Sequence, residues 1–224
     1  MGIAERRERE KTERRALILQ TTRDLILDRG LATVTMIDIA KKCELSKAAL
    51  YLYFPSKEAI LSELFHEAAS YFLSYVDSQI TPEDSGIMAI RKLWMSYIKI
   101  YGESSDIIVL FGANTVIAPE YPYVIDETPE GKKKEPFKLF RLIEEILSRG
   151  VLDGSLDPSI NPGAVARTII MITGGIVENV ARLPIELRKD KIILSEMKTT
   201  FEIVLRGVAS ASCDRSLLVL PIGK

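Results

Sequence analysis

The sequence contains few of the residues from which chemical sites are usually built. Its 224 residues include two cysteines, one histidine and one tryptophan. Cys43 and Cys213 stand too far apart to indicate a disulfide framework or a metal knuckle, and this favours a reducing compartment. His66 has only Glu63 and Glu67 at metal-ligand spacing, which is typical of a structural or solvated histidine; contact with a ligand is the alternative. We expect no metal and no cofactor.

Long apolar runs and catalytic motifs are also missing. No segment approaches the ~18 consecutive apolar residues of a membrane span, and the charged start E-R-R-E-R-E-K-T-E-R-R is the opposite of a signal peptide. There is no G-x-S-x-G motif, no phosphate-binding glycine loop, and no serine or cysteine nucleophile paired with the histidine. These absences predict a cytoplasmic protein that is not an enzyme and has no membrane partner.

Positive charge is confined to one end of the chain. The formal net charge is −1, but residues 1–57 carry 12 Lys and Arg against 8 Asp and Glu, a net charge of +4. The remainder carries 18 against 23, a net charge of −5. Only the N-terminal part therefore favours a polyanionic partner.

The N-terminal part contains two short helices joined by a tight turn. Thr35 is a helix N-cap with Asp38 three residues later, and Ser46 opens a second helix. Residues Met36, Ile39, Ala40 and Cys43 form the buried face of the first helix. Pro55 ends the second helix, and Ser56 caps a third.

The second helix, Ser46 to Phe54, has the composition of a helix that enters the DNA major groove. Small side chains in its first turn allow the backbone to approach base edges. We expect Lys47, Ala48 and Ala49 to face bases, and Thr35, Tyr51, Tyr53 and Lys57 to bind phosphates.

This segment resembles the N-terminal domain of the TetR family of bacterial transcriptional regulators. The resemblance is carried by Gly30, Thr35, Ile39-Ala40, Ser46, Leu50-Tyr51, Tyr53-Phe54 and Ser56-Lys57, with Ile18-Leu19 and Leu25-Ile26 before them. It implies an all-α protein with a helix-turn-helix domain at 1–57 and a helical effector-binding and dimerisation domain at 58–224. The family usually has glycine at the position of Glu44 and often a polar or basic residue at that of Ile37.

The remaining pattern is helical with one long break. Helices are predicted at 5–29, 56–80, 87–102, 137–149, 162–183 and 185–210, with a shorter apolar segment at 107–117. The charged front of the first helix is either a solvated extension or an arm that touches the minor groove. Residues 119–136, which include Lys132 to Lys134, are expected to form a solvated loop, with DNA contact as the alternative. The tail from Cys213 to Lys224 is expected to be partly ordered at best.

The last two helices are apolar around much of their circumference, which predicts burial against a second copy of the chain in a four-helix bundle. The predicted dimer interface comprises Val165, Ile169, Ile172, Ile176, Val180, Met197, Phe201, Val204 and Val208. Gly174 and Gly175 either allow close helix approach or relieve crowding inside the protomer.

Aromatic and sulfur side chains are frequent in the C-terminal part. Such residues usually form helix cores, but the resemblance implies that these helices surround an effector cavity. The candidate pocket residues are Phe72, Trp94, Tyr97, Tyr101, Phe111, Asn114, Phe137, Phe140, Met171 and Glu178. They suit an apolar or amphipathic small molecule.

The sequence thus predicts a homodimeric repressor that a small-molecule effector releases from a palindromic double-stranded DNA operator. Two alternatives remain open. One is an activator or ligand-independent DNA-binding protein of the same fold. The other is a small-molecule-binding helical protein that has lost DNA binding.

Overall fold

The computed structural model describes residues 2–111, 135–183, 186–188 and 191–221, and these residues form an all-helical protein. The helices are α1 (Ile3–Arg29), α2 (Met36–Lys42), α3 (Lys47–Tyr53), α4 (Lys57–Gln79), α5 (Gly86–Glu103), α6 (Ser105–Phe111), α7 (Glu135–Leu152), α8 (Pro162–Arg182) and α9 (Lys191–Val208), followed by a 3₁₀ helix at Arg215–Leu218. The predicted all-α fold is confirmed. Most of the predicted loop at 119–136 lies outside the described residues, but its last two residues already belong to α7.

The N-terminal core is enclosed by the second half of α1, by α2 and α3, and by the first half of α4. Gly30, with φ +86°, ends α1 as its sequence position predicts. Cys43 is a small buried core residue, as expected. The large side chains of this core that are completely buried include Ile18, Ile26, Ile39, Leu50, Ile60, Leu61, Leu64 and Leu110. Burial of each such side chain stabilises the fold by about 1.5–3 kcal/mol.

Helix α4 is shared by two hydrophobic cores. Its residues as far as Ala69 pack in the N-terminal core, whereas Phe72 and Val76 belong to the C-terminal core. Helix α6 is shared in the same way, because Val109 packs with the N-terminal core and Ile108 with the C-terminal core. The two parts of the molecule are therefore joined by packed helices rather than by a linker.

The C-terminal core is centred on α5, which packs against α4, α7 and α9. Trp94 of α5 stacks on Phe201 of α9 with ring centroids 4.3 Å apart. Where α5 crosses α7, a Cβ atom on Gly86 would clash with the backbone of Gly150, so this crossing requires glycine.

The C-terminal tail is more ordered than its sequence predicts. Leu218 and Leu220 are fully buried in the C-terminal core. Arg91 of α5 donates to the carbonyl oxygens of Leu217 (2.7 Å) and Val219, and the Leu220 amide donates to Glu202 Oε1 (2.7 Å). The expectation of a tail that is partly ordered at best is wrong for residues 213–221, because two of their leucines pack in the C-terminal core.

Helices α8 and α9 bury part of the predicted dimer interface inside their own protomer. Ile169, Val180, Met197, Phe201 and Val208 are buried in the C-terminal core and offer no side chain to a second copy. Their assignment to an interface is therefore corrected. The half-buried members of the predicted set are Val165, Ile172, Ile176 and Val204.

The outer faces of the same two helices carry apolar residues that the sequence-based set omitted. Met171 is 58% exposed on α8, and Ile192 and Ile203 are 65% and 64% exposed on α9. A Cβ atom on Gly175 would meet no other atom within 4 Å, so crowding inside the protomer does not explain that glycine.

Helix α8 has the length and composition of a possible membrane span, with a mean hydropathy of 1.3 over its most apolar window. A core helix of a soluble protein meets the same criterion. Ile169, Thr173 and Val177 lie at helical spacing and are buried against neighbouring helices, so this feature is weak evidence for a membrane.

Candidate nucleic-acid interface and effector region

Helix α2 begins at a complete capping box. Thr35 Oγ1 accepts a hydrogen bond from the Asp38 amide (3.2 Å), and the Asp38 carboxylate accepts from the Thr35 amide (3.0 Å) and hydroxyl (2.5 Å). The side-chain hydrogen bond from Thr35 is the largest cause of a pKa of Asp38 below its ordinary value, followed by the backbone bond. The exposed Thr35 is therefore held at the start of the helix-turn-helix by contacts within four residues.

The turn between α2 and α3 is made at Glu44. Its φ of 55° lies in the left-handed region, and in the described ranges it is the only non-glycine residue there. The Leu45 amide closes the turn by donating to the Ala40 carbonyl oxygen (2.9 Å). The family-based expectation of a left-handed residue at this position is confirmed, with glutamate in place of glycine.

Helix α3 presents a narrow exposed face. Its cap is confirmed, because Ser46 Oγ accepts from the Ala49 amide at 3.1 Å. Leu50 is fully buried and anchors the helix, whereas Lys47, Ala48 and Tyr51 are exposed and Ala49 is half-buried. Tyr51 follows Lys47 by four residues and Ala48 by three, so these exposed residues share one helix face.

Sequence reasoning missed Leu52, which is 84% exposed. It stands four residues after Ala48 and therefore lies on the same face of α3. This four-residue spacing is the sequence signal that could have placed Leu52 on the exposed face. A leucine on this face offers an apolar contact of the kind that meets a thymine methyl group.

Of the predicted phosphate-binding residues, Lys57 has its side chain engaged within the protomer, and Tyr53 is half-buried. Lys57 Nζ donates to the Leu31 carbonyl oxygen (2.9 Å), and burial lowers the pKa of this lysine below its ordinary value. Tyr53 is half-buried, and its carbonyl oxygen accepts from Arg15 Nη1 (2.7 Å). Ser56 caps α4 by accepting from the Ala59 amide (3.2 Å), as predicted.

The aromatic residues predicted for an effector pocket form one connected cluster. Phe72, Trp94, Tyr97 and Tyr101 are buried, and Tyr97 lies between the rings of Phe72 (4.4 Å) and Trp94 (6.0 Å). Burial raises the pKa of Tyr97 to about 12, and Thr173 is its hydrogen-bond partner.

One polar atom of this cluster lacks a partner. The Nε1 donor of Trp94 is buried and donates no hydrogen bond to any residue in the described structure. Such groups are rare in proteins because an unpaired buried donor costs about 1–3 kcal/mol. Trp94 thus offers a hydrogen bond that the described protein does not use.

Other predicted pocket residues have different outcomes. Phe140 is buried in the C-terminal core, and Phe111 is half-buried. Met171 is exposed on the outer face of α8, which contradicts its assignment to a buried pocket, and Glu178 pairs with Arg182 on the same helix. Asn114 lies outside the described residues, as does the side chain of Phe137, whose backbone belongs to α7.

The aromatic cluster and the N-terminal core are in direct contact. The ring of Phe111 on α6 packs edge-on against Phe65 (6.1 Å) in the N-terminal core and Phe72 (5.6 Å) in the aromatic cluster. A buried guanidinium adds a second connection, as Arg188 donates to Leu27 at the end of α1 (3.3 Å) and Ala181 at the end of α8 (3.4 Å).

His66 and the acidic residues form no evident metal site. His66 Nδ1 lies 2.5 Å from the Ser62 carbonyl oxygen one turn earlier on α4. Within the part of the chain that the structure describes, no three His, Cys, Asp or Glu residues come together in a way that would hold a metal ion.

Comparison with known proteins identifies the helix-turn-helix. Residues 18–64 match the model of a family described as bacterial regulatory proteins, tetR family. The chain is 25% identical over 195 residues to the uncharacterized HTH-type transcriptional regulator YvdT of Bacillus subtilis, covering 87% of this chain and 94% of that protein. It is also 25% identical over 159 residues to the HTH-type transcriptional repressor KstR2 of Mycolicibacterium smegmatis, covering 70% and 74%.

Solved structures share the same fold. The structure of Thermus thermophilus FadR, a TetR family transcriptional repressor in complex with lauroyl-CoA, aligns with a TM-score of 0.59 and 18% identity. The alignment covers 89% of this chain and 98% of that chain. The similarity extends beyond the helix-turn-helix to the C-terminal helices.

Proposed function

Since the chain belongs to the TetR family of bacterial regulatory proteins, we propose that it is a homodimeric repressor that binds a palindromic operator and is released by a small apolar or amphipathic effector. The family consists of transcriptional regulators rather than enzymes. The observation that carries the proposal is the exposed face of α3, where Lys47, Ala48 and Tyr51 stand free of the core. We place its action in the cytoplasm, where the chromosome is accessible.

In this proposal each protomer inserts α3 into a major groove. Lys47, Ala48 and Ala49 face base edges, and Leu52 joins them as an apolar contact. Tyr51 and Thr35 hold phosphates and set the register, with Tyr53 and Lys57 at the margin of the contact. The two half-sites lie about one helical turn apart, roughly 34–36 Å.

The second copy binds to the outer faces of α8 and α9. Exposed Met171, Ile192 and Ile203 supply apolar contact, together with the half-buried residues of the predicted set. Gly175 allows the facing helix to approach closely, because a Cβ atom there would meet no other described residue within 4 Å. Burial of these side chains would remove apolar surface that a monomer leaves in water.

The effector binds beside the aromatic cluster and moves α4. The unused Trp94 Nε1 donor suits an effector that carries one hydrogen-bond acceptor on an apolar body. Because α4 belongs to both cores, a change in its angle alters the separation of the two α3 helices. An effector that prefers the splayed state by about 1–3 kcal/mol lowers operator affinity about 5- to 150-fold.

The test is selection of duplexes from a random pool by the full-length protein, followed by affinity measurement on the enriched sequence. Enrichment of a palindrome is expected. Lys47→Ala should weaken binding by about 1–3 kcal/mol if this lysine makes a bidentate base contact. Lys99→Ala removes an exposed charge from α5 and should leave affinity unchanged.

Three outcomes separate the alternatives. Failure to enrich any sequence contradicts the DNA-binding proposal and favours a small-molecule-binding protein. Operator affinity that no apolar or amphipathic acyl compound changes favours a ligand-independent regulator. Activation rather than repression of a reporter placed behind the selected operator identifies an activator.

A further inference from the structure

Helix α1 begins well before the core that it supports. Gly2 and residues 4–17 include no buried residue, and Ile18 is the first α1 side chain described in the N-terminal core. The family match also begins at residue 18. At 1.5 Å per residue, the part before Ile18 is an extension of about 22 Å.

Two ion pairs within this extension neutralise part of its charge. Arg6 pairs with Glu10 (2.8 Å) and Arg9 with Glu13 (3.6 Å), so the carboxylates of Glu10 and Glu13 are neutralised by arginines. Apart from Arg15, the other basic residues of the extension are Arg7, Lys11 and Arg14, named here the α1 stripe. Their spacing of four and three places them on one face. Within the described ranges no carboxylate forms an ion pair with any of the three.

The α1 stripe faces the end of the DNA-reading helix. Its three residues line an open cleft of about 440 Å³, together with the paired Glu10 and Glu13 and with Tyr53 at the end of α3. Leu17 closes the cleft toward the core. The stripe and the recognition helix are therefore on the same side of the molecule.

Arg15 fixes this orientation. It donates from Nη1 to the Tyr53 carbonyl oxygen (2.7 Å), and it also pairs with Glu63 of α4. Its guanidinium lies 4.1 Å from the ring centroid of Phe54. Because one side chain joins α1 to the end of α3 and to α4, the extension is held in a set direction relative to the recognition helix.

The arrangement suits a phosphodiester backbone. The α1 stripe spans two helical turns, about 10 Å, and three phosphates of one strand span about 7 Å along a duplex axis. Arginine and lysine bind phosphates without reading sequence. Because Glu10 and Glu13 are paired with Arg6 and Arg9, the three cations of the α1 stripe leave the cleft with a net positive charge.

We propose that the α1 stripe binds phosphates of the operator duplex immediately outside each half-site read by α3. This inference rests on the proposed DNA-binding function and deepens it. The contacts add affinity and salt dependence without adding base specificity. They enlarge the bound duplex beyond the helix-turn-helix site.

The test compares wild-type protein with the triple variant Arg7→Gln, Lys11→Gln, Arg14→Gln on the selected operator. Affinity is measured over a salt series on two duplexes, one trimmed to the palindrome and one extended by about one helical turn on each side. The matched control, Lys99→Gln, Lys138→Gln, Arg215→Gln, removes the same charge from exposed positions outside the helix-turn-helix domain.

We expect the extended duplex to bind wild type and control more tightly than the trimmed one, and the triple variant to bind both equally. The salt slope on the extended duplex should fall by about five in the triple variant, since each of six contacts in a dimer contributes about 0.9. An unchanged slope and an unchanged preference for the extended duplex would overturn the inference while leaving the proposed function intact. Wild-type protein that binds no duplex would defeat the proposed function first, and the inference with it.

Discussion

At the scale of single residues, Glu44 pays a local conformational penalty for the turn between α2 and α3. A side chain with a Cβ atom in the left-handed region costs roughly 1–2 kcal/mol, and Glu44 has φ 55°. The cap bonds of Thr35 and Ser46 and the burial of Cys43 and Leu50 hold the flanking helices in place around it. The helix-turn-helix is thus stable enough to tolerate one unfavourable residue.

Glu44→Gly should stabilise the protein. We expect the free energy of unfolding to rise by about 0.5–1 kcal/mol, because the relief of left-handed strain exceeds the extra entropy that glycine loses on folding. Urea unfolding followed by circular dichroism measures the change. Glu44→Ala keeps the Cβ atom and should gain nothing, and a glycine variant no more stable than the alanine variant would show that the turn is not strained.

At the scale of secondary-structure elements, α8 and α9 serve two surfaces at once. Their inner faces place Ile169, Val180 and Phe201 in the protomer core, and their outer faces leave Met171 and Ile203 in water. A helix that is apolar on both sides is explained when the second side is also covered. The proposed dimer covers it.

Ile203→Arg should convert the dimer to a monomer. A charged side chain at 64% exposure costs the protomer little, but between two facing helices it would be buried without a partner. Sedimentation velocity measures the assembly. Leu152→Arg introduces the same charge at an exposed apolar position on α7 and should leave the dimer intact; a dimer that survives Ile203→Arg places the interface elsewhere.

At the scale of the whole molecule, shared helices and long-range contacts join the N-terminal core to the C-terminal core. Helix α4 contributes to both cores, and Phe111 contacts an aromatic ring in each. Arg188 is buried without a carboxylate among its hydrogen-bond partners in the described structure, and it donates to carbonyl oxygens near the C-terminal ends of α1 and α8. Helix C-termini carry partial negative charge, so they stabilise a buried cation at this junction.

The tail completes the C-terminal core, so shortening its side chains should destabilise the whole domain. Leu218→Ala should lower the free energy of unfolding by about 2–5 kcal/mol, because it leaves a cavity in a fully buried site. Val219→Ala, at a neighbouring exposed position, should change it by less than about 0.5 kcal/mol. Equal stability of the two variants in urea unfolding would contradict a structural role for the tail.

The sequence by itself determined the boundaries of the helices around the helix-turn-helix. The caps at Thr35, Ser46 and Ser56 and the stop at Gly30 all form as their patterns predict. Each depends on hydrogen bonds or backbone conformations within four residues, and such contacts do not change with the partners that pack later. The recognition of the helix-turn-helix rests on the same local signals.

Only the tertiary structure decided which side of each helix is buried and against what. Helical periodicity placed Phe201 in a dimer interface, and the family resemblance placed Met171 in an effector pocket. The fold instead puts Phe201 in the core and Met171 in water. It also buried Leu218 in a tail with no helical period long enough to detect. Burial is set by neighbours far away in the chain, so a stripe of apolar residues shows that a face is covered without identifying what covers it.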